Sequence, residues 1–137
     1  MTTASVIQLQ ADAIVECAED FVGLWVFVRM ERAAYPALSD EAIREGVLHR
    51  LGALLAGGLI VAGYPAAIAP ASGQPSNQDN LPGGRSQGFR PVKMTHEHVL
   101  DLMRTQWPHD RDPDIGELLW FTATDLGERI ARSLLAS

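Results

Sequence analysis

The sequence predicts a mainly helical α+β fold in which the helices are accompanied by a small antiparallel β-hairpin. Apolar residues recur at three- and four-residue spacing over four stretches, which is the periodicity of helices packed on one side. Two short apolar runs have the length of strands. The chain of 137 residues is 47% apolar and 20% charged. This size and composition are typical of one globular domain, so residues 1–137 are predicted to form a single domain.

Residues 8–34 have the pattern of one long or kinked helix. Apolar side chains recur from Ile14 to Met30, with acidic residues between them. Gly23 lies inside this segment, and a glycine in a helix interior costs about 1 kcal/mol relative to alanine. It marks a bend, a close helix contact or a break between two helices, and we expect one continuous helix. Pro36 closes the segment, because the residue before a proline is driven out of the helical region.

The second helix has the clearest pattern in the chain and leads into the first strand. Ser39 is a suitable N-cap, and the apolar face over residues 43–55 stops at a pair of glycines. Residues 59–64 have the pattern of a buried strand that leaves directly from the helix. Residues 65–91 are rich in Pro, Gly, Ser, Asn and Gln. They lack periodicity and therefore predict a flexible loop.

Two more helices and one strand complete the predicted fold. Thr95 is placed to cap a helix that runs to Trp107 and ends at Pro108. An acidic turn follows, and residues 115–122 have the pattern of a second strand. Thr124 is placed to cap the final helix, so the returning strand passes directly into it.

Two sequence phrases resemble the winged-helix family. Residues 54–63, LLAGGLIVAG, resemble the junction between a recognition helix and the first strand of the wing. Residues 120–129, WFTATDLGER, are similar to the strand that returns from the wing into a C-terminal helix, with Ala123 in place of the usual leucine. The resemblance covers the chain from about Gly23 onward. It implies a winged-helix-like domain with an enlarged wing, into which the helix at 95–107 is inserted.

Charge and cysteine content restrict the class of partner and the compartment. The formal net charge is -6, with a balance of -4 over residues 96–117 and of +2 over residues 64–95. This distribution differs from the stripe of Lys and Arg that is typical of nucleic-acid binders. The single cysteine, Cys17, excludes an internal disulfide. Residues 1–10 lack the features of a signal peptide and no apolar run has the length of a membrane span, so we expect a cytoplasmic protein without a membrane contact.

No group of residues has the spacing of a catalytic or metal site. His96 and His98 would point in different directions on a helix, whereas metal ligands on a helix share one face. Asp110, Asp112 and Asp114 lack the glycine and the distal glutamate of a calcium-binding helix–loop–helix. We therefore expect no catalytic residue, no metal and no cofactor. An enzyme or metal protein built on these histidines and aspartates is kept as an alternative, after the two functions described next.

The leading prediction is a non-enzymatic protein-binding module whose acidic surface engages a basic partner. A bacterial antitoxin or immunity protein that neutralises a cationic nuclease is one concrete version of this function. Acidic charge of this kind accelerates association with a basic protein. The predicted contact residues are Trp107, Asp110, Asp112, Asp114 and Glu117.

The alternative prediction is a DNA-binding transcriptional regulator, which follows from the winged-helix resemblance alone. Its basic residues would contact the major groove from the recognition helix and the phosphates from the wing loop. The candidates are Arg44 and Arg50 in the helix, with Arg85, Arg90 and Lys93 in the loop. Many such regulators are dimers, so a homodimer is left open. The alternative requires these basic residues to converge on one surface.

Overall fold

The computed structural model describes residues 3–65, 88–114 and 118–136, with side chains from residue 8 onward, and these residues form five helices and a four-stranded antiparallel sheet. The elements follow in the order α1 (Thr3–Glu19), β1 (Val22–Gly23), α2 (Leu24–Ala34), α3 (Asp40–Ala56), β2 (Ile60–Pro65), β3 (Phe89–Pro91), α4 (His96–Gln106), β4 (Trp120–Ala123) and α5 (Asp125–Ala136). The predicted α+β class is confirmed. This helix-rich arrangement with a small sheet is compatible with a winged-helix-like fold.

The prediction of one helix over residues 8–34 is wrong, because α1 and α2 are separated by the short strand β1. The backbone of Gly23 is extended, with φ -76° and ψ 159°. An added Cβ at this position would lie 1.6 Å from the ring of Trp25. A larger residue where the chain enters α2 would therefore displace the indole, because the ring occupies the space of a side chain. Of the three roles considered for Gly23, the structure shows the third, a break between two helices.

The strand order in the sheet is β1-β4-β2-β3, so β4 is a central strand. Val22 of β1 lies opposite Phe121 of β4, and Ala62 of β2 lies opposite the same residue from the other side. The predicted strand at 115–122 is found at Trp120–Ala123, while residues 115–117 lie outside the described part of the chain.

The predicted flexible loop at 65–91 contains residues of the sheet at both of its ends. Pro65 ends β2 and lies opposite Phe89 of β3. The β2–β3 pairing was missed because three residues are too few for a periodicity of two to be recognised. Residues 66–87, which carry the rest of the predicted loop, lie outside the described part of the chain.

The hydrophobic core joins the sheet to the helices. Phe121 is fully buried at its centre and packs edge-to-face against Phe27 of α2, with 5.6 Å between the ring centroids. Cys17 of α1 is fully buried, as expected for a small apolar residue. None of the helices in the described residues is long and apolar enough to cross a membrane.

Three predicted helix caps are confirmed. The hydroxyl of Ser39 accepts a hydrogen bond from the backbone N–H of Ala42 at 3.2 Å. Thr95 caps α4 in the same way. Thr124 caps α5 by accepting from the N–H of Gly127 at 3.1 Å, and its hydroxyl donates to the carbonyl of Gly58 at 2.7 Å. Thr124 therefore fixes the start of α5 against the end of α3.

Candidate functional site

Helix α4 packs along α3 and covers part of its surface. Leu100 lies against Gly52, where an added Cβ would be 3.0 Å from the Leu100 Cδ1 atom. One end of the contact is closed by an ion pair between Arg104 of α4 and Glu45 of α3. Glycine at position 52 therefore allows the two helices to approach closely.

A groove remains between the two helices, which we call the α3–α4 groove. Its cavity volume is about 470 Å³. It is lined by Glu45, Leu48, His49, Gly52, Ala53, Ala56, His96, Glu97, Leu100 and Arg104. The positions of α3 that stay exposed beside it are His49, Ala53 and Ala56. The groove therefore has a neutral floor and charged ends.

Acidic side chains dominate the exposed charge on α4. Glu97 lines the groove, and Asp101 follows it four residues later, on the same side of the helix, where it is also exposed. The pKa of the Glu97 carboxyl is lowered, first by a hydrogen bond from its own backbone N–H and further by the neighbouring His96 and His98. Glu97 is therefore ionised at neutral pH. Arg104, the basic residue of the groove, is paired with Glu45.

A second cavity, of about 530 Å³, lies where the acidic turn at 108–114 meets α2 and α3. Asp112 accepts two hydrogen bonds from Arg32, at 2.8 Å from Nε and 2.7 Å from Nη2. Arg32 also donates to Asp40 at 3.0 Å. These hydrogen bonds, first that to Asp112, raise the pKa of Arg32 above its ordinary value. The charge of Asp112 is therefore compensated, and the ion pair fixes the turn to α2.

The predicted protein-binding residues have different environments. Trp107 is 6% exposed and belongs to the core, and it also lines the cavity beside the acidic turn. Asp110, Asp112 and Asp114 are exposed on the turn. Glu117 lies outside the described residues. The acids of the turn thus remain accessible, although Asp112 is held by Arg32.

The prediction that Arg50 faces outward is wrong. Its guanidinium donates to both carboxylate oxygens of Glu31, at 2.9 and 3.1 Å, and to Oε1 of Gln10 at 3.0 Å. The side chains of Arg50 and Glu31 are only 9% and 3% exposed. A buried acid on the neighbouring helix compensates the charge of the arginine. Arg50 therefore connects α1, α2 and α3 and is not available to a phosphate.

Two of the other predicted DNA-binding residues, Arg44 and Lys93, line different cavities at opposite ends of α3. Arg44 lines the cavity beside the acidic turn, near the start of α3. Lys93 lines a different cavity with Leu55, near the end of α3. Eleven residues of helix between Arg44 and Leu55 correspond to about 16 Å. Arg90 is half-buried on β3, and Arg85 lies outside the described residues.

Four acids of α3 and α4, of which Glu45 and Glu97 line the groove, were missing from the predicted site. Glu41 and Glu45 on α3, and Glu97 and Asp101 on α4, repeat at four-residue spacing. Such spacing places like charges on one side of a helix, where their repulsion destabilises the helix slightly. Acids in this arrangement therefore indicate a role other than helix stability. This was the available sequence signal. The sequence does not predict that these two helices lie side by side.

The candidate metal ligands are not grouped in a metal site. Within residues 3–65, 88–114 and 118–136, no three His, Cys, Asp or Glu side chains are close enough to hold an ion. His96 Nε2 instead lies 3.1 Å from a carboxylate oxygen of Glu97.

Comparison of the chain with protein-family models, curated proteins and solved structures finds no match.

Proposed function

We propose that this chain is a non-enzymatic protein-binding module, built on a winged-helix-like domain, whose α3–α4 groove engages a basic partner. The observation that carries the proposal is the packing of α4 along α3, with Glu97 exposed in the groove and Asp101 exposed one turn further along α4. Acids that are accessible at the edge of a groove attract a basic protein and accelerate its association.

The order and pairing of the elements support the winged-helix assignment. Two helices and a short strand precede α3, and β4 pairs with both β1 and β2. The two phrases that resemble the family fall at the α3–β2 junction and at the β4–α5 junction. In this assignment α3 occupies the place of the recognition helix, and β3 and α4 enlarge the wing.

The groove supports a protein partner in preference to DNA. A helix that reads the major groove needs its outer side accessible, and its contacts to phosphate need arginine or lysine. In this chain α4 covers one flank of that side, and the exposed positions of α3 next to α4 are His49, Ala53 and Ala56. Glu97 at the groove would repel phosphates, and Arg104, the basic residue of the groove, is already paired with Glu45. Arg50, which the DNA-binding alternative requires on the surface, is buried.

The biological role we propose within this class is that of an antitoxin or immunity protein. Such a protein neutralises a cationic toxin by covering its basic surface. The net charge of -6 and the acids of the α3–α4 groove suit a partner of this kind. The cytoplasm, where a nuclease toxin would act, is the proposed location.

The test compares two charge-reversal variants that have the same net charge. Glu97→Lys/Asp101→Lys reverses the exposed acid of the α3–α4 groove and the acid one turn further along α4. Asp12→Lys/Glu16→Lys reverses two exposed acids at the same four-residue spacing on α1. Binding of a fluorescent peptide rich in lysine and arginine is measured by anisotropy over a salt series. A duplex DNA of mixed sequence is titrated in parallel.

We expect the groove variant to bind the peptide about tenfold more weakly than the α1 variant, because local potential and not total charge determines the site. Equal losses in both variants would mean that the acids act only through net charge, and would refute the site. Micromolar binding of the wild-type chain to DNA with a steep salt dependence would instead favour the regulator.

A further inference from the structure

The cavity beside the acidic turn has a lining in which the charges of arginines and acids balance. Its volume of about 530 Å³ lies in the range of small-molecule sites. Three arginines and three acids line it: Arg32, Arg44, Arg111, Asp40, Glu41 and Asp112. Trp107 and Pro108 add an apolar part to the wall. A lining that carries both signs in equal number suits a small ligand that also carries both.

Most of these charges are used within the protein. Both carboxylate oxygens of Asp112 accept hydrogen bonds from Arg32, which also donates to Asp40 Oδ1. Arg111 donates through Nη1 to the backbone carbonyl of Asp112 at 3.2 Å. These contacts fix the turn and involve four of the six charged residues of the lining.

The other two charged residues, Arg44 and Glu41, lie side by side without a hydrogen bond. Arg44 Nη2 and Glu41 Oε1 are 4.0 Å apart, which is longer than a hydrogen bond. Neither side chain makes a hydrogen bond within the part of the chain that the structure describes. The exposed pair of Arg132 and Glu128, by contrast, closes to 2.7 Å. The guanidinium and the carboxylate at this cavity therefore both lack a partner at bonding distance.

The environment of Arg44 makes this lack of a partner costly. Its side chain is only 27% exposed, and its Nε is buried without an acceptor. A charged donor that loses water and gains no acceptor costs more free energy than a neutral one. The terminal nitrogens lie next to Glu41, which is 81% exposed, so they are the part of the guanidinium that a ligand can reach. A carboxylate is the group that matches this planar fork of donors.

The acids of the cavity require that the ligand also carries a positive charge. A carboxylate bound to Arg44 would lie close to Glu41, and an ammonium group next to that carboxylate would relieve the repulsion. The ammonium would donate to Glu41 and to Asp40, whose Oδ1 alone is used by Arg32. An α-amino acid carries both groups on one carbon. Its two charges can therefore lie against the arginine and the acid in the opposite order.

We propose that this cavity binds a free α-amino acid with an apolar side chain. Arg44 binds the carboxylate, Glu41 accepts from the ammonium, and Trp107 and Pro108 contact the side chain of the ligand. The inference is separate from the proposed function, since the cavity and the α3–α4 groove have no lining residue in common.

Isothermal titration calorimetry of the full chain tests the ligand class, with L-leucine, L-valine and L-phenylalanine as probes. We expect at least one of them to bind with a Kd below about 1 mM. The amide of that amino acid lacks the carboxylate, and its N-acetyl derivative lacks the ammonium. Each should bind at least about tenfold more weakly, because one charged group of the cavity is then left without its partner.

Three variants test the site. Arg44→Gln should weaken binding at least about tenfold, because the charged fork of donors is lost. Glu41→Gln, at a residue whose exposure protects the fold from the change, should weaken it at least about fivefold. Arg129→Gln is the matched control, since it removes the same charge from an exposed residue of α5, and it should bind as the wild type does. Circular dichroism verifies that each variant is folded.

Four results would overturn the proposal. They are the absence of binding by all three amino acids up to about 10 mM, equally strong binding of the amide or the N-acetyl derivative, unchanged binding in Arg44→Gln and Glu41→Gln, and an equal loss in Arg129→Gln. Inorganic phosphate is titrated in parallel. If phosphate binds as tightly as the amino acid and competes with it, the cavity is a general anion site and the amino-acid assignment is refuted.

Discussion

The buried ion pair between Arg50 and Glu31 leads to the sharpest prediction about stability. Glu31→Gln keeps the size of the side chain and one acceptor oxygen but removes the negative charge. The guanidinium then stays buried, 9% exposed, with Gln10 Oε1 and the new amide as its acceptors. Removal of one partner from a buried pair costs about 3–5 kcal/mol, because the other charge is left uncompensated. We expect about 3 kcal/mol, at the lower end, since one acceptor oxygen is kept.

This loss corresponds to a large change in melting temperature. An unfolding entropy of about 2.1 cal/mol/K per residue over 137 residues converts 3 kcal/mol into a decrease of about 10 °C. Urea denaturation at neutral pH, followed by circular dichroism, measures the free energy of unfolding and its urea dependence. We expect the midpoint to fall and the urea dependence to stay unchanged.

Two controls separate the buried pair from ordinary charge effects. Glu128→Gln breaks an exposed pair with Arg132, whose side chain is 69% exposed, and should cost less than about 0.5 kcal/mol. Glu31→Leu/Arg50→Leu removes both charges and should be closer to wild type than Glu31→Gln, because no buried charge is left alone. A loss below about 1 kcal/mol for Glu31→Gln would refute the reasoning and mean that Arg50 is hydrated.

Three further substitutions test individual contacts. Gly127→Ala places a Cβ 2.0 Å from a backbone carbonyl oxygen and should lower the free energy of unfolding by about 3 kcal/mol, measured by thermal unfolding. The control is Gly58→Ala, which has open space around it and should lower the same free energy by only about 1–2 kcal/mol because of its positive φ. Thr95→Ala removes the N-cap of α4 and should lower the free energy of unfolding by about 1 kcal/mol, whereas Thr95→Ser should leave it unchanged. Arg32→Gln releases Asp112 and should raise amide exchange at residues 108–114 with a stability loss of at most about 1 kcal/mol; unchanged exchange would contradict the role of this ion pair in holding the turn.

The helices and their caps could be predicted from the sequence because they depend on local interactions. Ser39, Thr95 and Thr124 accept hydrogen bonds from N–H groups three residues away, and such contacts are present in the sequence itself. The failure at Gly23 has the opposite cause. A strand of two residues is stabilised by β4, which lies almost a hundred residues later. Local periodicity contains no information about such a partner.

The same distinction explains which site residues were misplaced. Arg50 was assigned to the surface because the winged-helix resemblance makes its helix the recognition helix, whose outward residues would face DNA. Its burial depends on Glu31, an acid at a core position of α2, where Leu24, Phe27 and Val28 are also buried. The available sequence signal for this burial was that an acid and an arginine, Glu31 and Arg50, occupy core positions of two consecutive helices. Trp107 was assigned to the contact surface, whereas the structure places it in the core.

The position of β4 between β1 and β2 has a consequence for synthesis of the chain on the ribosome. Val22 pairs with Phe121, which is 99 residues later. At about 5–20 residues per second, β4 is made roughly 5–20 s after β1. During that interval β1 has no strand to pair with, and the side of α1 that packs on β4 and α5 stays exposed to water. The segment with α1 and β1 is therefore made before β4 but completes its packing only after it, and in that interval chaperone binding and aggregation compete with folding.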